Sequence, residues 1–377
     1  MWVWWMIIVV CTIIGYLADV ERKRNIENGR MEIAGLAKYF FMISVILIFF
    51  AGLRSTTGDG VQSIGDTRVY TANFRRLVKD NIIEYFKTVD FDTDWGFYGL
   101  MTLVRQIFGV KEQGLFFFCS LVTIGCIMYR YYKLNLGYTW LLIFFYITLG
   151  SYVSSMNGGR QWLVSAIMFM ALPWIEKRKL KRYILLVVVL STIHSSVFVF
   201  LILYFVVVQP AWGKTTKYMI AFVIALLVTY PVTGPIISSF LADSDSSYSV
   251  YSSSIVSGSG GTNVIRIITY IIPVLFAFLS REKMKNEPYY NIVINMAVLD
   301  MLFMMMAIQN WIYARFCIYF EPYLLIVYIW DLKYCFDLKS KRIVNLAFIL
   351  YGAVWFWYQM YVAWNGQIYT SEVLGIG

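Results

Sequence analysis

The side chains of this chain that can do chemistry fall in four short stretches. The first is Gly52-Leu53-Arg54, followed by Gly58-Asp59-Gly60 and Gly65-Asp66-Thr67-Arg68-Val69-Tyr70. Its glycines permit tight turns, and Asp66 either caps the helix that follows or belongs to a polar loop at the exit of an apolar span. The second, Ser155-Met156-Asn157-Gly158-Gly159-Arg160-Gln161, sets an arginine at the start of an apolar helix. That arginine either snorkels to lipid headgroups or joins the helix N-terminus in a seat for phosphate oxygens. The third is His194, the single histidine. It is a hydrogen-bonded core residue or a general base, since imidazole titrates near neutrality; alone, it supplies too few ligands for a metal. The fourth is Gln309-Asn310 with Arg315, one apolar segment after Asp300. A cation about one turn inside a membrane boundary costs several kcal/mol unless it is partnered. Arg315 therefore pairs with Asp300 or meets Arg160 around one anionic ligand.

The elements that position these residues must be helices in lipid. Sixty per cent of the residues are apolar, 19% are aromatic and 14% are charged, where a soluble chain carries about a quarter charged. Apolar stretches recur between short polar breaks, and inside a bilayer the backbone has to satisfy its own hydrogen bonds. The fold class expected is all-α, a polytopic integral membrane helix bundle forming a single transmembrane domain over 1–377. The net charge of +10 does not point to nucleic acid, because the cations sit in short loops that membrane topology explains. The five cysteines lack metal-ligand spacing and read as packing residues. Met1 is followed by Trp2, Trp4 and Trp5 without a basic leader region or a small-residue cleavage site, so the first apolar segment is expected to remain as a span.

Placing the basic breaks in the cytoplasm sets the rest of the map. These are Arg22–Arg24 with Arg30, Arg130 with Lys133, Lys177–Arg182, Arg281–Lys285 and Lys333–Arg342. Both termini then lie on the non-cytoplasmic side, and spans fall near 2–19, 34–53, 114–129, 138–153, 160–176, 264–280, 289–308, 311–330 and 343–363. Residues 54–113 form an external segment. Within it, 67–87 reads as one amphipathic helix along the membrane surface, and 94–109 as a dipping or re-entrant helix carrying Arg105. The apolar run 183–208 must break near His194 to keep the parity, and the Ser/Gly-rich 242–262 stretch is an external loop.

The same residues resemble the EpsG family of Wzy-like polysaccharide polymerases. The likeness rests on Gly52-Leu53-Arg54, Gly65-Asp66-Thr67 with Tyr70, Asn157 with Arg160-Gln161, and His194-Ser195-Ser196, and is carried mainly by residues 50–200. Beyond them it continues in Arg315 followed by Tyr319-Phe320. The resemblance implies a bundle of about 12 spans like the GT-C integral-membrane glycosyltransferases. It also implies a bacterial inner-membrane enzyme of O-antigen or exopolysaccharide assembly. Such an enzyme joins oligosaccharide repeat units carried on undecaprenyl pyrophosphate, donor and acceptor alike, with no cofactor or metal, and leaves room for a chain-length regulator protein as a partner.

The chemistry of such a transfer fits the residue types. Pyrophosphate leaves as an oxocarbenium-like centre forms, and arginines aimed at the developing charge act most strongly in a low-dielectric site. Arg160 and Arg315 are expected in that role, and His194 or Asp66 as the group that takes or orients the acceptor hydroxyl proton. Arg54, Asp59, Thr67, Tyr70, Asn157, Gln161 and Asn310 are the expected substrate-binding residues. A flippase or exporter of lipid-linked saccharides is the competing reading. It would need polar residues through both leaflets, where the inner halves of these spans are nearly bare.

Overall fold

A computed structural model describes residues 1–57, 64–77, 79, 81–91, 94–242, 260–337, 339–364 and 366–377. Asp59 and residues 243–259 of the Ser/Gly-rich stretch lie outside the described residues. The described chain is helical throughout, with a lone antiparallel bridge between Ser371 and Ile376. Among the described residues, four helices are long and apolar enough to cross a membrane: Trp2–Glu27, Gln113–Leu134, Lys214–Ile236 and Lys341–Ala363. Thr139–Thr148 and Ser151–Asn157, bent by 43° at their junction, make a fifth crossing if taken together. Four further apolar helices, Ala37–Gly52, Ser195–Val207, Val264–Leu279 and Tyr290–Met306, are shorter. The protein is a membrane-embedded helical protein.

Two compact units divide the chain, Met1–Ile202 with Lys339–Gly377, and Leu203–Leu338. In the first, α1 (Trp2–Glu27) packs on α7 (Thr139–Thr148), where the Asp19 carboxylate accepts the main-chain N–H of Trp140 at 3.1 Å. A carboxylate at a helix start satisfies one of its orphan donors and meets the positive end of its dipole. α2 (Ala37–Gly52), α6 (Gln113–Leu134) and α9 (Gly159–Met170) form the neighbouring layer. α8 (Ser151–Asn157) follows α7 after Gly150, whose φ of +101° makes the bend. The span expected over 160–176 is interrupted, because Pro173 opens a separate short helix, α10 (Leu172–Glu176), and has no N–H to continue the ladder.

The segment that follows α2 differs from expectation. The single surface helix expected over 67–87 is two helices, α3 (Thr67–Arg75) and α4 (Ile82–Thr88). Asn81 starts the second by accepting the N–H of Ile83 at 2.8 Å, and Arg105 closes the first by donating to the carbonyls of Phe74 at 3.1 Å and Leu77 at 3.3 Å. Local capping at both ends outweighs the apolar periodicity that runs across the gap. α5 (Trp95–Phe108) carries Arg105 and has 14 residues, about 21 Å of helix against a hydrocarbon core of about 30 Å. Its buried face, Phe97, Met101 and Val104, packs with Tyr70 and Phe74 of α3 and with Leu115 and Phe116 of α6.

The long apolar run after Arg182 breaks where the sequence places the break. α11 (Leu180–Ser191) ends as Ser191 and Thr192 turn their hydroxyls back to the carbonyls of Val188 and Val189, each at 2.7 Å. His194 is extended, and a 3₁₀ turn at Ser195–Phe198 leads into α12 (Val199–Val207). The Tyr183 hydroxyl donates to the carbonyl of Phe200 at 3.3 Å, so the chain folds back on itself as a tight hairpin.

In the second unit, the apolar segment expected as one helix over 311–330 tightens at residues 318–320 between Tyr313–Cys317 and Glu321–Tyr334. Pro322, just after the tightening, cannot donate to the turn before it. Asp300 on the helix Tyr290–Met306 is fully buried, and neither carboxylate oxygen accepts a hydrogen bond among the described residues. The pairing of Asp300 with Arg315, one of the two alternatives open in the sequence, is therefore not formed. The ionisable groups around Asp300 are Glu321, Arg266 and Cys317 instead, and the Tyr270 hydroxyl donates to Glu321 at 3.1 Å.

Candidate functional site

Arg54, two residues past the end of α2, is buried at 4% exposure. Its Nε donates to Thr67 Oγ1 at 3.1 Å, and its terminal nitrogens donate to the carbonyls of Ala51 and Met156. The guanidinium also lies over the Phe116 ring, 4.2 Å from its centroid. One side chain thus joins the end of α2, the start of α3 and the end of α8. Thr67 passes the constraint on, since its hydroxyl donates to the carbonyl of Ile64 at 2.7 Å.

Asn157 accepts the N–H of Asp66 on its Oδ1 at 3.0 Å. That approach requires glycine at position 65, where φ is +49° and an added Cβ would stand 2.1 Å from the same oxygen. The side chain of Asp66 makes no cap hydrogen bond to α3, so the capping role open to it in the sequence is not the one adopted. Tyr70, one turn into α3, is 8% exposed, and its hydroxyl accepts the main-chain N–H of Arg160 at 3.3 Å. Burial pushes the Tyr70 phenol above its ordinary range, with the Arg160 charge pulling the other way.

The Arg160 side chain forms an ion pair with Asp94 and lies over the Phe97 ring at 5.6 Å. Phe97 meets Tyr70 edge to face at 5.7 Å between centroids. Asp94 precedes α5 in a left-handed conformation, φ 32° and ψ 25°, and its side chain does not cap the helix. Such a backbone costs an L residue roughly 1–2 kcal/mol, somewhat less for Asp. Beside it, Gly96 donates its N–H to the carbonyl of Thr192 at 2.9 Å, where a Cβ at position 96 would strike Thr192 Oγ1 at 2.0 Å. The turn that carries His194 is thereby held against the start of α5. Arg54, Tyr70, Phe97, Phe116, Ser155 and Gly159 line a cavity of about 370 Å³ of empty space, its open mouth included.

The structure brings Arg54, Asp66, Thr67, Tyr70, Asn157 and Arg160 together at one end of the first unit, with Gln161 buried behind Arg160. Asn310 and Arg315 belong to the second unit. There, Asn310 accepts the N–H of Ile312 at 2.9 Å, and Arg315 lies over the Trp311 ring at 5.2 Å.

Sequence reasoning missed two contributors. Asp94 was read only as the start of a helix; its signal was a third aspartate after Asp90 and Asp92, on the side of the map already holding Arg54 and Arg160. The other is the C-terminal segment. Thr370 accepts the N–H of Ser55 at 2.8 Å, Glu372 accepts from the hydroxyls of Ser55 and Thr57, and Tyr369 donates to the carbonyl of Phe50 at 2.9 Å. Trp4 Nε1 donates to the carbonyl of Gln367 at 3.3 Å, so the start of α1 shares this end. Burial acts to raise the Glu372 carboxyl, but the two hydroxyls outweigh it and hold the group below the ordinary glutamate range.

The chain is a membrane-embedded helical protein that gathers a buried arginine, a partly buried one and several aromatic rings at one end of its first unit. The EpsG family model matches residues 38–370, and the chain belongs to that family. The match extends the likeness read from residues 50–200 across the whole of the second unit. Membership implies a polysaccharide polymerase type of function, glycosyltransferase-like in its chemistry. No protein of curated function and no solved structure matches the chain.

Proposed function

We propose that this protein joins oligosaccharide repeat units carried on undecaprenyl pyrophosphate, at the non-cytoplasmic face of a bacterial inner membrane, and releases undecaprenyl pyrophosphate. The observation that carries the reading is Arg160, placed at the first turn of α9, fixed through its own N–H by Tyr70 and set over the Phe97 ring. A guanidinium at a helix start, in partly desolvated surroundings, suits pyrophosphate oxygens and gains strength as charge develops on the leaving group. The adjoining aromatic rings suit sugar faces. Arg315, in the second unit, is assigned a further anion-binding role in the reaction, and the shorter apolar helices complete a GT-C-like bundle of about 12 spans.

The test is incubation of purified protein with one synthetic lipid-linked repeat unit, followed by gel separation. A ladder of products is expected from the wild type. Arg160→Ala and Arg315→Ala proteins should insert normally and make no polymer; normal chain lengths from both would sink the pyrophosphate assignment.

A further inference from the structure

The ion pair between Arg160 and Asp94 raises a question that the polymerase reading leaves open. If Arg160 is to hold a pyrophosphate, a carboxylate already occupies its guanidinium. Asp94 holds that place from an unfavourable position. Its backbone is left-handed, and its side chain forgoes the cap of α5, although aspartate is among the best residues for such a cap. The pair is neither deeply buried nor free in solvent, with 29% of the Arg160 and 21% of the Asp94 side chain exposed. A contact of that kind contributes modestly and can be exchanged. The main chain around it is fixed by other means. Asp94 O accepts from Phe97 N at 2.9 Å and Tyr98 N at 3.2 Å, and Gly96 is tied to Thr192. Tyr70 holds the backbone of Arg160 whether or not Asp94 is engaged.

We infer that Asp94 is the exchangeable counter-ion of Arg160: the pyrophosphate of an incoming lipid-linked saccharide displaces it, and its return helps to expel undecaprenyl pyrophosphate after transfer. This rests on the polymerase reading for the identity of the ligand. The reason such a device is useful lies in the strength of the leaving-group site. An arginine that stabilises the departing pyrophosphate also retains it as product, and a tethered carboxylate competes for the same donors without being consumed. No covalent step is involved, only the replacement of one oxyanion on the guanidinium by another.

The experiment measures binding and turnover separately. Undecaprenyl pyrophosphate in detergent is titrated into the wild-type, Arg160→Ala and Asp94→Asn proteins, and each is then assayed with the synthetic lipid-linked repeat unit at saturation. Asparagine has the shape of aspartate and tolerates a left-handed backbone well, so Asp94→Asn keeps the fold. It should bind about fivefold tighter than wild type, the effect of removing one partly exposed competing ion pair. Its turnover at saturation should fall, and added undecaprenyl pyrophosphate should inhibit it more strongly. Equal or weaker binding by Asp94→Asn would overturn the inference and make Asp94 a plain positioning residue. Undiminished binding by Arg160→Ala would instead overturn the polymerase reading of the site, so the two failures are distinct.

Discussion

The hydroxyl of Tyr70 accepts the main-chain N–H of Arg160 at 3.3 Å, so the first turn of α9 is positioned by a residue 90 places earlier, on helix α3. The bond uses a donor that a helix start leaves without an intrahelical partner. The same hydroxyl also meets the Arg160 side chain, so Tyr70 holds both the backbone and the guanidinium of the arginine.

Tyr70→Phe removes that acceptor and keeps the ring against Phe97. Stability should fall by about 1 kcal/mol. Polymer formation should fall more than the melting midpoint suggests, because the guanidinium loses its fixed origin. Wild-type turnover in a stably folded Tyr70→Phe protein would show that the bond does not position Arg160.

Gly65→Ala should destabilise the protein by about 1–3 kcal/mol, through a side chain at positive φ driven into Asn157. Adding Asn157→Gly removes the struck atom and should recover part of the loss, leaving the backbone cost. Thermal unfolding of the two single variants and the double variant gives the coupling between the sites directly. Strict additivity would mean that the close approach of Gly65 to Asn157 is not formed.

Glu372 sets a pH dependence. Its folded value lies below the ordinary glutamate range, so its contribution is complete above the unfolded value and is lost as pH falls through the lower folded one. The melting midpoint should therefore drop on acidification beneath the ordinary glutamate range. Glu372→Gln should start lower at neutral pH and show a smaller drop. An identical acid profile in both proteins would remove Glu372 from the account of the Ser55–Thr57 loop.

His194 and Asp66 remain the candidates for accepting the acceptor hydroxyl proton. His194→Ala and Asp66→Asn, each assayed for polymer formation, separate them: the residue that acts as base should cost about 100-fold or more in turnover. Wild-type turnover in both variants would exclude the two together.

The helical membrane class and the break near His194 were legible because lipid imposes a simple grammar. Apolar length, cationic loops and span parity together required a break near His194, and the back-bonding Ser191 and Thr192 supply it. Much of the site was legible as well, since Arg54, Thr67, Tyr70, Asn157 and Arg160 are polar groups in otherwise apolar surroundings. What stayed hidden is what depends on distance along the chain. The run of aspartates ending at Asp94 marks a polar place without naming Arg160 as the partner, and nothing at Glu372 announces Ser55. The division of the surface helix between Arg75 and Ile82 was lost for a local reason: the apolar spacing persists across the gap, while Asn81 and Arg105 cap the two halves.

The tie between Ser55 and Thr370 also bears on how the protein is made. Arg54 leaves the ribosome more than 300 residues before its neighbouring loop can meet Thr370 and Glu372. At about 5–20 residues per second, that interval lasts roughly 15–60 s. Through it, the newly inserted helices hold Arg54 and Arg160 without the C-terminal segment that ties down the neighbouring Ser55–Thr57 loop. Assembly of the site is therefore a late event in biogenesis, set by the arrival of the tail.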